Sequence, residues 1–124
     1  MEDYIHARGP LCRIETERQG PTALIRLIGE FDLSCEHPFE QKLAGALDAF
    51  TSQLVVDLCE LSFIDSVGLR MLLSLENRSR AEDFALVVLC GDGQVREVLK
   101  LTGLDGLLPL VDPSGIVPSS DSPV

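Results

Sequence analysis

The chain has 124 residues and a formal net charge of −10, and 45% of its residues are hydrophobic. This length favours a single domain with one apolar core. The acidic balance, without a basic stripe, argues against direct binding to nucleic acid or to an anionic membrane surface.

The first half of the chain predicts two strands followed by a helix. Residues 11–18 alternate polar and apolar side chains, which is typical of a half-exposed edge strand, and residues 19–21 form a turn. Thr22 to Ile28 is predicted as the second strand, and Gly29 ends it. We expect the helix to have Ser34 as its N-cap and Pro38 in its first turn. Its apolar positions at helical spacing are Phe39, Leu43, Ala46, Leu47 and Phe50.

The second half predicts three more strands and two more helices. Leu54 to Leu58 is apolar except for Asp57 and lacks alternation, which indicates a strand buried on both faces. A short acidic loop follows, and then a helix from Ser66 to about Arg80. The remaining predicted elements are a strand at 84–89, a helix ending at Gly103, an edge strand at 107–111 and a disordered tail from 112.

Helices that alternate with strands after an initial strand pair predict an α/β fold. We expect a single-layer mixed sheet of four to five strands, mostly parallel, with helices packed on it. The carboxyl ends of parallel strands gather at one edge of such a sheet. Asp57 lies near the end of a predicted strand and Asp32 and Ser66 follow strands, so we expect the three residues to share that edge.

A serine at a helix start among aspartates has three interpretations: a helix cap, a nucleophile or a modification site. A hydrolase elbow needs glycine where Ile64 stands, and only His6 and His37 could serve as a base. We therefore expect the chain not to be an enzyme. A phosphoserine at a helix start is tolerated by the backbone N–H groups and the helix dipole, whereas it changes the charge that a docking partner meets.

Metal and cofactor sites are not expected. Asp32, Asp57 and Asp65 could hold Mg²⁺ as the aspartates of a receiver domain do. That fold usually also needs a lysine near the end of its last strand, and no lysine follows Lys100, which lies within a predicted helix. The chain also lacks a phosphate-binding glycine loop with lysine. The four cysteines form no Cys-x-x-Cys pair and are read as reduced thiols. Residues 1–10 lack the apolar region of a secretory signal, and no apolar stretch reaches the length of a membrane span, so we expect a cytoplasmic protein.

Two motifs resemble the STAS domain family, in particular its stand-alone anti-sigma factor antagonists. One is Asp65-Ser66-Val67-Gly68-Leu69 after the buried strand, and the other is Gly29-Glu30-Phe31-Asp32 after an apolar strand. Val67 stands where many members carry a second Ser or Thr, which leaves Ser66 as the hydroxyl of the Asp65–Leu69 motif. The resemblance covers roughly residues 11–111, between an N-terminal arm at 1–10 and the tail at 112–124.

The resemblance implies a partner switch. In that family, the unphosphorylated antagonist binds an anti-sigma factor that is also a serine kinase, the kinase inactivates it, and a serine phosphatase restores it. Ser66 would be the phosphorylated residue, and no cofactor would be bound. The implied partner-binding residues are Asp32, Asp65, Ser66, Val67, Gly68 and Met71, where Val67 and Met71 form an apolar patch one helical turn apart. The alternative is an accessory subunit of a membrane transporter ATPase, since STAS-like domains also occur there.

Overall fold

The computed structural model describes residues 11–116, which form one five-stranded sheet with helices on one of its faces. The strands are β1 (Cys12–Gln19), β2 (Thr22–Phe31), β3 (Gln53–Ile64), β4 (Ala85–Leu89) and β5 (Leu110–Val111). The helices are α1 (Glu36–Ala46), α2 (Ser66–Glu82), α3 (Gln94–Leu101) and the single turn α4 (Pro113–Ile116), with 3-10 turns at Leu33–Cys35 and Leu104–Gly106. The predicted N-terminal arm and residues 117–124 of the predicted tail lie outside the described residues.

The strand order is β1-β2-β3-β4-β5, so each new strand is added on the same side of the previous one. Only β1 and β2 are antiparallel, and the other neighbouring pairs are parallel. This confirms the predicted mixed, mostly parallel sheet. Each helix connects one parallel strand to the next, and every connection moves across the sheet in the same direction. Because such connections are right-handed, α1, α2 and α3 lie on the same face of the sheet.

Burial therefore alternates along the strands, and the prediction that β3 is covered on both faces is wrong. Leu54, Val56 and Leu58 are buried beneath the helices, whereas Val55 and Asp57 are half-buried on the opposite face. The run from Leu54 to Leu58 is nearly all apolar because the strand has one buried face and one face that carries the apolar Val55 although no helix covers it. Below, the open face means the side of the sheet away from the helices.

β3 is much longer than predicted, because the expected acidic loop continues the strand to Ile64. Two irregularities in its pairing with β2 give β3 one extra residue each, first between Asp57 and Glu60 and then between Leu61 and Phe63. Leu58, Leu61 and Ile64 remain buried, while the residues between them face outward. Bulges of this kind re-aim side chains, often beside functional sites.

β2 is also longer than predicted, because Gly29 lies inside the strand instead of ending it. Gly29 has a φ of +106°, and a Cβ there would lie 2.5 Å from the carbonyl oxygen of Leu11. Only glycine tolerates both conditions, and the strand continues to Phe31.

Helix α1 ends four residues before the last position of its predicted apolar stripe. The helix stops at Ala46, and Phe50 lies beyond it with 82% of its surface exposed. Ser34 is not the N-cap of α1, because it lies within the preceding 3-10 turn. Pro38 does occupy the first turn of the helix, as predicted.

Candidate functional site

The carboxyl ends of β2 and β3 are each followed by a capping aspartate. Asp65 is the N-cap of α2, and its Oδ1 accepts hydrogen bonds from the backbone N–H groups of Val67 at 2.9 Å and Gly68 at 3.0 Å. The N–H of Asp65 in turn donates to the carbonyl oxygen of Phe31 at 3.3 Å, which ties the end of β3 to that of β2. The start of α2 is therefore fixed to the sheet.

Ser66 is the first residue of α2, and its side chain is exposed. The sequence interpretation of Ser66 as the cap is wrong, because Asp65, the residue before the first helical residue, accepts the hydrogen bonds from the N–H groups that a cap must reach. Within residues 11–116, no hydrogen-bond partner engages the Ser66 hydroxyl. The hydroxyl is thus an accessible group at the positive end of a helix dipole, without a structural task of its own.

Asp32 plays the same local role after β2. Its Oδ1 accepts from the backbone N–H of Ser34 at 2.9 Å, and its carbonyl oxygen accepts from Cys35 at 2.9 Å. The Ser34 hydroxyl accepts from the N–H of Leu11 at 3.1 Å, which fastens the start of β1 to this turn. Asp32 and Asp65 therefore stand at neighbouring strand ends, as expected, but each also holds its own turn in place.

The name serine edge is used below for the surface formed by residues 30–34 and 62–67. It carries the carboxylates of Glu30, Asp32 and Asp65. Arg70, one turn after Ser66 on α2, is paired with Glu36 at 3.5 Å across the two helix starts. Negative charge thus dominates this side of the molecule.

Two of the predicted partner-binding residues do not reach the surface. Met71 is only 5% exposed, and Gly68 is buried where a Cβ would lie 2.6 Å from the Phe31 carbonyl oxygen and 2.7 Å from Ile64 Cγ1. Val67 is half-buried against the core. The apolar patch predicted at Val67 and Met71 is therefore corrected: these residues seat α2 on the sheet, because the helix face one turn below Ser66 points inward.

Asp57 does not join the serine edge. It lies in the middle of β3 with its side chain on the open face, where its Oδ2 is 3.3 Å from Arg26 Nε. Arg26 Nη1 also lies 3.3 Å from Glu15 Oε1 and 3.7 Å from Glu17 Oε2. Hydrogen bonds to Glu15 and Asp57 raise the pKa of Arg26. The expectation that Asp57 shares an edge with Ser66 is wrong, because β3 continues seven residues beyond it.

Sequence reasoning missed two exposed apolar residues of the serine edge, Leu33 and Phe63. Leu33 is 58% exposed and Phe63 is 41% exposed. The sequence predicts an acidic loop at this position, and only the second bulge of β3 turns Phe63 outward. No simple periodicity reveals such a residue, although an aromatic residue between Ser62 and Ile64 was a usable signal.

The described residues contain no group of three or more His, Cys, Asp or Glu side chains arranged to hold a metal ion.

Cys12, Cys35 and Cys90 are buried free thiols, whereas Cys59 is exposed on β3. Partial desolvation of the thiol, together with a hydrogen bond to Asp57 and the charge of that carboxylate, raises the pKa of Cys59 to about 12. Between residues 11 and 116, no helix combines the length and apolar character that crossing a bilayer requires.

The fold of this chain is similar to the folds of several solved structures. A crystal structure of an anti-sigma factor antagonist from Mycobacterium paratuberculosis matches with a TM-score of 0.69 and 24% identity, covering 90% of this chain and 89% of that chain. The anti-sigma factor antagonist SpoIIAA in its unphosphorylated form matches with a TM-score of 0.68 and 22% identity, covering 90% and 99%. The Bacillus cell fate determinant SpoIIAA in the phosphorylated form matches with a TM-score of 0.61 and 22% identity, covering 89% and 96%.

At these identities the structural likeness establishes the fold alone. No curated protein sequence matches the chain. The family comparison is more specific, since the model described as "Mlab, STAS domain" matches residues 14–112. That segment includes β1 from its third residue onward, the whole of the other four strands, both capping aspartates and Ser66. The chain belongs to the STAS domain family.

Proposed function

We propose that this protein is an anti-sigma factor antagonist that binds an anti-sigma factor with serine kinase activity and is switched off by phosphorylation of Ser66. A serine phosphatase would reverse the switch. The observation that carries the proposal is the state of the Ser66 hydroxyl, which is exposed at the first position of α2 while Asp65 performs the capping. The similar structures, which are those of an anti-sigma factor antagonist and of SpoIIAA in its unphosphorylated and phosphorylated forms, support the same assignment.

The physical basis of the switch is charge placed on a docking surface. Phosphorylation adds about −1.5 to −2 charges at neutral pH. At Ser66 this charge would stand beside Asp65, on a surface where Glu30 and Asp32 are also acidic. A partner that covers the serine edge excludes the water that screens these charges, so it meets a repulsive and costly group. The N–H groups of Val67 and Gly68 are already bonded to Asp65, so the switch requires no rearrangement of the fold.

The site of modification is tested by reaction with the anti-sigma factor kinase of the source organism and ATP, followed by peptide mapping. We expect phosphate on Ser66, and none on the Ser66→Ala variant. Ser114, Ser119, Ser120 and Ser122 are the competing acceptors, and Ser114 is exposed beside Asp112. Phosphate confined to these residues would contradict the proposal.

The switch itself is tested by calorimetric titration of the same kinase with Ser66→Asp and Ser66→Ala. We expect Ser66→Asp to bind at least about tenfold more weakly, which corresponds to roughly 1.4 kcal/mol, and Ser66→Ala to bind as the wild type does. Ser74→Asp is the matched control, because Ser74 is exposed two turns further along α2. Equal affinities of Ser66→Asp and Ser74→Asp would refute a local charge switch.

A second candidate is an accessory subunit of a membrane transporter ATPase, because the matching family model carries the description Mlab and names no sigma-factor system. Such a subunit would bind its ATPase without phosphorylation of Ser66. Co-purification separates the two functions, since one predicts a small kinase as the partner and the other a transporter ATPase.

A further inference from the structure

The serine edge presents two large apolar side chains to solvent, Leu33 and Phe63. Phe63 lies opposite Glu30 in the register of β2 and β3, and Leu33 follows the end of β2 by two residues. Ser66 follows the end of β3 by two residues. The two apolar residues and the serine therefore surround the ends of the same two neighbouring strands.

The exposure of Phe63 is imposed by the backbone. In the second bulge of β3, Ser62 is the extra residue, and its hydroxyl donates a hydrogen bond to the carbonyl oxygen of Gly29 at 3.1 Å. If the same sequence followed regular strand alternation without a bulge, Phe63 would point inward on the face of Leu61. With it, Leu61 and Ile64 remain in the core and Phe63 faces outward.

Leu33 is held outward by a different device. It lies between Asp32, whose carboxylate and carbonyl both accept hydrogen bonds from the turn, and Ser34, which is bonded to Leu11. Both apolar residues are thus mounted on fixed backbone. Side chains that need little ordering on association lose little conformational entropy and make effective binding anchors.

The charges around these anchors indicate the chemistry of what covers them. Glu30, Asp32 and Asp65 lie on the serine edge, whereas Arg70 is already paired with Glu36. A second copy of this chain would bring the same acidic surface against itself. Charge complementarity instead favours a partner whose apolar pocket is bordered by Lys or Arg side chains.

We propose that Leu33 and Phe63 are the apolar anchors through which the anti-sigma factor docks on the serine edge, and that it receives them in an apolar pocket with a basic rim. This inference rests on the proposed function and adds to it the contact residues and the character of the opposing surface. Ser66 then lies at the border of an interface that two apolar contacts hold together. A phosphate on Ser66 would weaken binding because its charge prevents the partner from approaching closely enough to contact Leu33 and Phe63.

The test is calorimetric titration of Phe63→Ser and Leu33→Ser against the anti-sigma factor kinase that binds the wild-type chain. The chain offers matched controls, because Phe50 and Leu101 are exposed apolar residues away from the serine edge, 82% and 83% exposed. We expect Phe63→Ser and Leu33→Ser each to weaken binding at least about tenfold, and Phe50→Ser and Leu101→Ser to change it by less than about threefold. Thermal melting of each variant shows whether it is folded.

A salt titration tests the basic rim. We expect the wild-type affinity to fall as ionic strength rises, because exposed charges interact across the rim. An affinity that stays constant from low to high salt would overturn the basic rim. If Phe63→Ser melts early, Leu33→Ser decides the question, because Leu33 is the more exposed of the two.

The outcomes separate this inference from the function on which it rests. If the wild type binds, Ser66→Asp does not, and both serine variants bind like the wild type, the anchors are refuted and the switch stands. If no anti-sigma factor kinase binds the wild type, both proposals fail. If sedimentation shows that the wild type is a dimer which Phe63→Ser dissociates, the occupant is a second copy and the inference is overturned.

Discussion

A single carboxylate oxygen, Asp65 Oδ1, satisfies two of the N–H groups at the start of α2. Ser66 therefore does not cap the helix, although its position suggests that it could. This matters for a switch, because the residue that would be modified is not the residue that stabilises the start of the helix. Substitutions at the two positions should therefore have different consequences.

We predict that Asp65→Ala lowers the free energy of unfolding by about 1 kcal/mol through the loss of the cap. Asp65→Asn keeps an acceptor oxygen and should cost much less. Ser66→Ala should stay within roughly 0.5 kcal/mol of the wild type, as expected for an exposed residue without a bonded partner. Urea denaturation of the three variants checks this, and a Ser66→Ala loss as large as that of Asp65→Ala would restore the serine to the capping role.

At the scale of elements, the packing of α2 on the ends of β2 and β3 depends on the absence of a side chain at Gly68. We predict that Gly68→Ala destabilises the fold by about 1–3 kcal/mol, since its Cβ would press on the Phe31 carbonyl and on Ile64. Gly45→Ala is the matched control, because nothing lies within 4 Å of a Cβ at this position in α1. Because alanine has a higher helix propensity than glycine, Gly45→Ala should raise the free energy of unfolding by roughly 0.5 kcal/mol. Thermal melting of both variants is the measurement, and equal shifts would show that α2 is not packed as described.

The open face of the sheet depends on Arg26 in a comparable way. Its guanidinium contacts Asp57 on β3 and Glu15 on β1, and its side chain is 26% exposed. We predict that Arg26→Gln costs roughly 1–3 kcal/mol, because it leaves several carboxylates facing one another without a cation. Arg13→Gln removes a pair with the same Glu15 at an exposed position and should cost less than about 0.5 kcal/mol. Chemical denaturation of the two variants compares them, and similar losses would mean that Arg26 is worth no more than a surface pair.

The elements also show which parts of the fold can be read from sequence. The order of strands and helices, the edge position of β1 and the start of α2 follow from periodicity and turn residues, because each is a local pattern. The length of β3 does not, because bulged pairing with β2 depends on a neighbouring strand and leaves no regular period. For the same reason the positions of Ser66, Asp32 and Asp65 after their strands follow from the sequence, whereas the exposure of Leu33 and Phe63 does not, and Asp57 lies in the middle of a strand instead of at its expected end.

At the scale of the whole molecule, the net charge of −10 means that phosphorylation adds negative charge to an already acidic protein. Repulsion from Asp65 opposes the phosphate, while the dipole of α2 favours it by roughly 0.3–1 kcal/mol. Arg70 adds an attractive partner, because it follows Ser66 by four residues on the same helix face and this pairing gains about 0.2–0.5 kcal/mol.

We therefore predict that phosphorylated protein melts within roughly 2 °C of the unmodified protein, and that the midpoint falls further in phosphorylated Arg70→Gln. Differential scanning calorimetry of the four species measures both effects. A fall of many degrees on phosphorylation of the wild type would mean that modification acts by unfolding the domain, which would contradict a switch confined to the surface.

The paired irregularities of β3 also have a consequence for insertions and deletions. Each bulge adds one outward residue between inward ones: residues 59 and 60 lie between Leu58 and Leu61, and residues 62 and 63 lie between Leu61 and Ile64. Loss of one outward residue from either bulge should therefore restore regular alternation and leave Ile64 in the core. Loss of Leu61 should instead remove an inward position that no neighbour can fill without a change of register. This strand can therefore shorten its outward display of side chains one residue at a time while the chain continues to fold.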